Sequence, residues 1–343
     1  MESCVGVWGS FHKLPPKIGI CAGSARRDLY LTQIVLLRCT RKPTLTRTAY
    51  RRPVSNTKRN TADTNGIAQE FTFGVEIETT CPRNNRLRIG SYFSTGEQVP
   101  YLPEGWVAKS DGSIRTDKAG HVDVEIVSPI LRGEAGIAQL IEVIRILNEK
   151  GHAVNSSCGV HVHVGFKGRS AQELTKLINT AAYLEKGMYA ITGSKRREQG
   201  SYCGSVKVLQ NAERFKSAGQ RYKLLNINNL MPGGKGTVEF RCFSGSLNAT
   251  KIVGWVQVAL GVVEKALTTK RLPKWNGKNP IGVWKKDGNG QTETERLLAY
   301  LCWVNRGKAP AHQRAYGWIS NKISQKSIRD MFRKLAKQYD AQA

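Results

Sequence analysis

Apolar and polar residues alternate along Phe71 to Thr80. Phe71, Phe73, Val75 and Ile77 share one side of an expected strand, and Thr72, Gly74, Glu76 and Glu78 share the other. Further strands are expected at Trp106 to Ser110, Val122 to Val127, Val160 to Phe166, Tyr222 to Asn228 and Thr237 to Phe243. Residues 81 to 103 read as a polar loop, Asp111-Gly112 as a turn, and Ser128-Pro129 as a strand end. Between the strands the period changes to that of helices. Ile137, Leu140, Ile141, Ile144 and Leu147 mark a helix over 134 to 150 that Gly151 terminates. A second opens at Ser170 with a capping box closed by Glu173, and buries Leu174, Leu177, Ile178, Ala181 and Leu184. Asn248 caps a long helix reaching Leu267. Two more are expected at 292 to 305 and 324 to 339, the last with a basic face of Arg329, Arg333, Lys334 and Lys337.

Strands that alternate, rather than running continuously apolar, belong to a largely antiparallel sheet with helices packed on one face. The fold class is therefore α+β. Residues 1–69 are basic, rich in Thr and Arg, and without apolar period, so they read as a flexible arm. An organellar transit peptide and an over-extended gene start are equally compatible with that composition. Residues 70–268 form the expected folded domain and 269–343 a basic helical extension that begins with a Pro/Gly/Trp loop at 270 to 290.

Charge adds a second theme. Lys and Arg number 53 against 26 Asp and Glu, a net charge of +27, which predicts attraction to polyanions, including nonspecific binding through the basic arms. The eight cysteines include no metal-ligand spacing and no compact disulfide framework, so a reducing cytoplasm is the default. The longest apolar stretches are too short or too interrupted to span a membrane.

Candidate chemistry lies on the polar side of the strands. Glu76/Glu78, Asp123/Glu125, His161/His163 and Glu239/Arg241 each form an i, i+2 pair on a separate strand. One such pair reads equally as a solvated strand face. Four on neighbouring strands would bring carboxylates and imidazoles together, with a repulsion that cations would offset. Carboxylate oxygens suit Mg²⁺ or Mn²⁺, whereas His-x-His alone would suit zinc or iron. Arg241 suits phosphate oxygens or an acidic neighbour. Metals and arginines on one surface describe a phosphoryl-transfer site. No Walker A loop accompanies it, because the Gly-Lys pairs at 234, 277 and 307 are not followed by Ser or Thr. A Gly-, Lys- and Arg-rich loop at 193 to 221 holds Arg196, Arg197, Tyr202, Lys207, Arg214 and Arg221, and could close over substrate. Cys203 within it could serve as a nucleophile, but the chemistry does not require one.

Phe73-Gly74-Val75-Glu76-Ile77-Glu78 resembles the opening motif of the amidoligase family, within the carboxylate-amine ligase superfamily that includes glutamine synthetase and glutamate-cysteine ligase. Asp111-Gly112-Ser113, Val124 to Pro129, Gly159 to His163, Arg221-Tyr222 with Leu225-Asn226, and Val238 to Arg241 are similar to its later motifs, in the same order. The resemblance covers roughly residues 70 to 268. It implies a curved antiparallel sheet, ATP, and two or more Mg²⁺ (or Mn²⁺) held by Glu76, Glu78, Glu125, His161 or His163, and Glu239. It implies Arg241 and Arg221 on the phosphates, with Asn226 and Lys207 as further nucleotide contacts and Asp111 in the matching turn. The implied reaction joins a small-molecule or peptide carboxylate to an amine through an acyl phosphate. Two other classes fit the composition: a basic nucleic-acid-binding protein, and a metal-dependent hydrolase or nuclease using the same carboxylates.

Overall fold

The computed structural model describes residues 71–207, 220–269, 292–301, 303 and 323–342. The expected basic arm at 1–69, the loop at 270 to 290 and Arg214 lie outside them. The strands are β1 (Thr72–Pro82), β2 (Glu97–Gln98), β3 (Val107–Lys109), β4 (His121–Val127), β5 (Leu131–Arg132), β6 (Gly159–Gly165), β7 (Leu225–Asn226) and β8 (Thr237–Ser244). The helices are α1 (Gly133–Glu149), α2 (Ala171–Ala190), α3 (Lys195–Gln199), α4 (Ala249–Thr268), α5 (Glu293–Tyr300) and α6 (Gln325–Asp340).

All eight strands join one sheet in the order β2-β3-β4-β1-β6-β8-β7, with β5 paired to the start of β1. Every pairing is antiparallel. The α+β expectation holds, and alternation is the cause. Phe73, Val75 and Ile77 of β1 are buried together with Val124 and Ile126 of β4, Val160, Val162 and Val164 of β6, and Val238 and Phe240 of β8. That face receives the helices, α4 against β6 and α2 against β8. Phe243 stacks on Trp255 of α4 with ring centroids 5.3 Å apart. Each such side chain taken out of water contributes about 1.5–3 kcal/mol.

Local chemistry sets the element ends. Ser170 accepts from the Glu173 N–H while Glu173 reaches back to the Ser170 N–H, completing the expected capping box. The Asn248 side chain accepts from the Lys251 N–H and starts α4. Pro129 separates β4 from β5. Ser128 repairs the break: its hydroxyl accepts from the Val75 N–H at 2.9 Å, and its own N–H donates to the Val75 carbonyl at 2.9 Å.

Several boundaries differ from the sequence reading. The expected loop at 81 to 103 contains the end of β1 and the two-residue β2. Cys81 continues β1 because its partner Val122 extends the ladder with β4. The strand expected over Tyr222 to Asn228 shrinks to Leu225–Asn226, since short 3₁₀ turns flank it at Gln220–Tyr222 and Asn228–Leu230. The helix expected to reach 305 ends at Tyr300. Helices α5 and α6 pack on α2 and α4, and they belong to the same compact unit as the sheet. Gly254 of α4 makes room for α6: a Cβ there would lie 2.8 Å from both Ile328 and Phe332. Among the described residues no helix is long and apolar enough to cross a membrane.

His152, beyond the α1 terminus, is buried between two hydroxyls. Thr79 Oγ1 lies 2.9 Å from Nδ1 and Tyr101 Oη 2.9 Å from Nε2. Burial, with a smaller contribution from His121, lowers its pKa to about 4. The folded protein therefore keeps this imidazole neutral, while the unfolded chain takes up a proton below the ordinary value of about 6.5. Stability is retained above that value and lost as pH falls toward 4. The loss from this residue should approach about 3 kcal/mol at the acid end. Urea unfolding at neutral pH and near pH ~4 should show a smaller acid loss in His152→Gln than in the wild type; equal losses would refute this.

Candidate active site

The sheet face opposite the helices carries the acids and imidazoles, and strand register aligns them in rows. Lys109 of β3 is opposite Glu125 of β4, and Glu125 is opposite Glu78 of β1. In the next row Glu76 faces His161 of β6. In the third, His163 faces Glu239 of β8, and Glu239 faces Asn226 of β7. Directly opposed residues of an antiparallel pair point to the same side, so the register alone forces this convergence.

The contacts are close. His161 Nδ1 lies 3.2 Å from Glu76 and 3.5 Å from Glu239, and its Nε2 lies 3.4 Å from Glu78. His163 Nδ1 is 3.1 Å from Thr237 Oγ1, while its buried Nε2 is 3.1 Å from Glu76 Oε1 without the alignment of a hydrogen bond. Asn226 Nδ2 donates to Glu239 at 2.7 Å, and the Gly159 N–H donates to Glu78 at 2.5 Å.

Electrostatics separates the carboxyls. Burial pushes the Glu125 carboxyl up, and the charges of Glu76, Asp111, Glu78 and Glu239 push it further, well above the usual carboxylate range. Burial also opposes ionisation of Glu76, but His163 and His161 override it and hold Glu76 well below that range. Glu239 is likewise lowered against its burial, chiefly by His163 and Arg241. His163 is raised despite burial by the charge of Glu76.

The sheet is irregular beside the arginine. Val160 pairs with Phe243 and Val162 with Phe240, so Arg241 and Cys242 together oppose His161. This is a β-bulge, a device that redirects side chains beside functional sites. The Arg241 N–H finds its acceptor on Leu224 at 2.8 Å, and the guanidinium lies 2.5 Å from Glu239. Arg221 lines the same cavity and donates to the Tyr92 hydroxyl.

A cavity of about 290 Å³ opens over this face and includes Glu76, Glu125, His161, His163, Glu239, Asp111, Arg221, Asn226 and Arg241 in its walls. Of the residues singled out from sequence, Glu78 is buried and is not part of those walls. Lys207 does not reach the cavity and instead faces Glu185 at 3.6 Å. Asp123 pairs with Thr80, outside the ligand groups described next. Cys203 is buried, and burial raises its thiol pKa, the reverse of an activated nucleophile.

Ligand-capable atoms form three overlapping groups, each within 4.8 Å: Glu76/Glu125/His161, Glu76/His163/Glu239 and Glu78/Asp111/Glu125. The donor set is mostly carboxylate oxygen, which fits hard divalent cations such as Mg²⁺ or Mn²⁺. The unaligned His163 Nε2 and the mutual repulsion at Glu125 fit the same conclusion. Asp111 stands within one of these ligand-capable groups, a placement its Asp-Gly turn did not reveal.

Sequence reasoning missed several contributors. Lys235, met in the sequence only as half of a Gly-Lys pair outside any Walker A loop, puts Nζ 3.4 Å from Glu76. Lys109 sits at a register position that only strand pairing discloses. Arg197, read only as one of several basic residues in the loop at 193 to 221, lies in α3 and reaches the sheet at Gly159, where a Cβ would lie 2.3 Å from a guanidinium nitrogen. Gly159 continues the row of His161 and His163, and its missing side chain admits that guanidinium, which donates to the Arg241 carbonyl at 3.0 Å. Helix α3 is in turn fixed by α6 and the residues just after it, through Tyr339 donating to Glu198 and Gln342 accepting from the Lys195 N–H at 2.9 Å.

A family model described as "Putative amidoligase enzyme" matches residues 69–213 and 207–263. A search of curated proteins returned no significant match. Similar solved structures include the complex between Prokaryotic Ubiquitin-like Protein Pup and its ligase PafA, at 13% identity and a TM-score of 0.37, covering 80% of this chain and 64% of that one. Ligand-free GmaS is similar at 11% identity and a TM-score of 0.37, covering 80% and 70%. A bifunctional glutathione synthetase from Pasteurella multocida is similar at 10% identity and a TM-score of 0.36, covering 80% and 54%. The chain spans less than two thirds of the length of the PafA structure. The family match takes in more than half of the chain, and every strand of the acid-and-imidazole face lies inside it. On that ground the chain belongs to the amidoligase family.

Proposed function

We propose that this protein is an ATP-dependent carboxylate-amine ligase working on a two-ion site. The carrying observation is the register-aligned cluster of Glu76, Glu78, Glu125, His161, His163 and Glu239 beside Arg241. Glu76 and Glu239 with a histidine would hold one Mg²⁺ or Mn²⁺, and Glu78, Glu125 and Asp111 the other. When bound, such ions neutralise phosphate charge and let an anionic carboxylate approach.

The chain's own groups do the remainder. Arg241 is held against Glu239 in the cavity wall, where it suits a phosphoryl group in transfer. Arg221 and Lys235 add positive charge at the cavity wall. A second cavity of about 420 Å³ adjoins the first and shares Glu76, His163 and Lys235 with it. Phe71, Phe166 and Pro129 make it apolar, and Lys167 and Arg169 border it, so a base and ribose fit there with the phosphates directed at the carboxylates. The substrate carboxylate would attack the γ-phosphorus, giving ADP and an acyl phosphate. An amine would then displace phosphate and form the amide.

Two outcomes are expected. Mg²⁺-dependent ADP release should require both a carboxylate and an amine, and Glu76→Gln should reduce it by about 10²-fold or more while circular dichroism stays unchanged. ATP that neither binds nor turns over with any substrate mixture would sink the ligase reading; Mg²⁺-dependent nucleic-acid cleavage without ATP would replace it. Separately, Mn²⁺ should raise the melting temperature, because ions binding only the folded state stabilise it. Glu125→Gln should weaken that rise by removing a ligand; a rise of unchanged size in the variant would count against Glu125 as a ligand.

A further inference from the structure

The two cavities share Glu76, His163 and Lys235. The first two are ligand-capable, and the third is a cation. Lys235 therefore stands where the space suited to base and ribose meets the space lined by carboxylates. Its backbone is firmly held. The turn around it has positive φ at Gly233 (81°) and Gly236 (72°), and a Cβ at Gly234 would lie 2.4 Å from the Asn229 carbonyl. The Gly236 N–H donates to that carbonyl at 2.8 Å, and the Gly236 carbonyl accepts from the Phe166 N–H at 2.9 Å.

The side chain on this fixed backbone is free to move. It is 59% exposed, and its ion pair with Glu76 Oε1 spans 3.4 Å. A pair so open to solvent is weak and exchanges readily. Arg241 differs, because its guanidinium is 11% exposed and closely paired with the buried Glu239. Glu76 Oε1 also faces His163 Nε2 at 3.1 Å, and Glu76 belongs to two of the three ligand-capable groups. An ammonium and a divalent ion on one carboxylate repel each other, so the two compete for Glu76. A displaced ammonium on a flexible four-carbon stem then seeks another anion within reach.

We infer that Lys235 is a phosphate-binding residue that exchanges partners, giving up Glu76 to a divalent ion and pairing with the phosphate chain of the nucleotide. The inference deepens the ligase reading and rests on it. In that reading the phosphates run from the apolar cavity toward the carboxylates, past the junction on which Lys235 is mounted. Lysine suits the exchange because it pairs with phosphate as a point charge, without the fixed fork of arginine.

Calorimetric titration of the full chain tests both halves. Lys235→Ala should bind Mn²⁺ alone about threefold more tightly, because a competitor for Glu76 is gone. At saturating Mg²⁺ the same variant should bind a non-hydrolysable ATP analogue about tenfold more weakly, and Lys235→Arg should recover most of that affinity. Lys109→Ala removes a cation that lines the carboxylate cavity but not the apolar one, and should shift both affinities less. Unchanged or weaker Mn²⁺ binding by Lys235→Ala, unchanged nucleotide binding by it, or shifts of equal size in Lys109→Ala would each overturn the inference. Circular dichroism checks that the variants fold. A wild-type chain that binds no nucleotide sinks the ligase reading too, whereas a wild type that binds it no better than Lys235→Ala sinks the inference alone.

Discussion

Like charges placed opposite one another across paired strands are the constraint on which this molecule turns. Glu78 and Glu125 are directly opposed, and Glu76 and Glu239 share one histidine between them. Two unit charges about 4 Å apart repel by about 4 kcal/mol at the effective dielectric of a partly buried site. One such pair offsets the burial of roughly two core side chains. The opposite face supplies that burial many times over through its valines, isoleucines and phenylalanines against α1, α2 and α4. The polar face reduces the demand with His161, His163, Arg241, Lys109 and Lys235. A hydrophobic layer on one side of a single sheet thus holds in place a cluster that would disperse if left to itself.

Much of this was legible because strands have a period of two. Glu76/Glu78, His161/His163 and Glu239/Arg241 announced their shared face by spacing, and Ser170/Glu173 and Asn248 announced helix starts by their own hydrogen bonding. The apolar partners at the intervening positions fixed which face the helices would cover. Where local period carried the information, the reading held.

Where pairing carried it, the reading fell short. Two-residue strands such as β2 and β7 are too brief to show alternation, and they exist because a neighbour offers a ladder. The inclusion of Asp111 and Lys109 depends on which strands lie adjacent. Lys207, a basic residue of the loop at 193 to 221 expected to contact nucleotide, faces the buried carboxylate of Glu185 instead. The bulge at Arg241 has no composition signature, since it is a count of two residues against one on another strand. Tyr92, which accepts from Arg221, sat in a stretch with no period at all.

The niche left by Gly159 has a mechanical consequence. The Arg197 guanidinium fills it, Arg197 belongs to α3, and α3 is clamped by the final turn of α6. The last helix lies beyond the span shared with the family, yet it is joined through one short helix and one arginine to the carbonyl of Arg241. The boundary suggested by sequence similarity therefore cuts across a continuous chain of contacts that runs from the C-terminal helix to the backbone of Arg241.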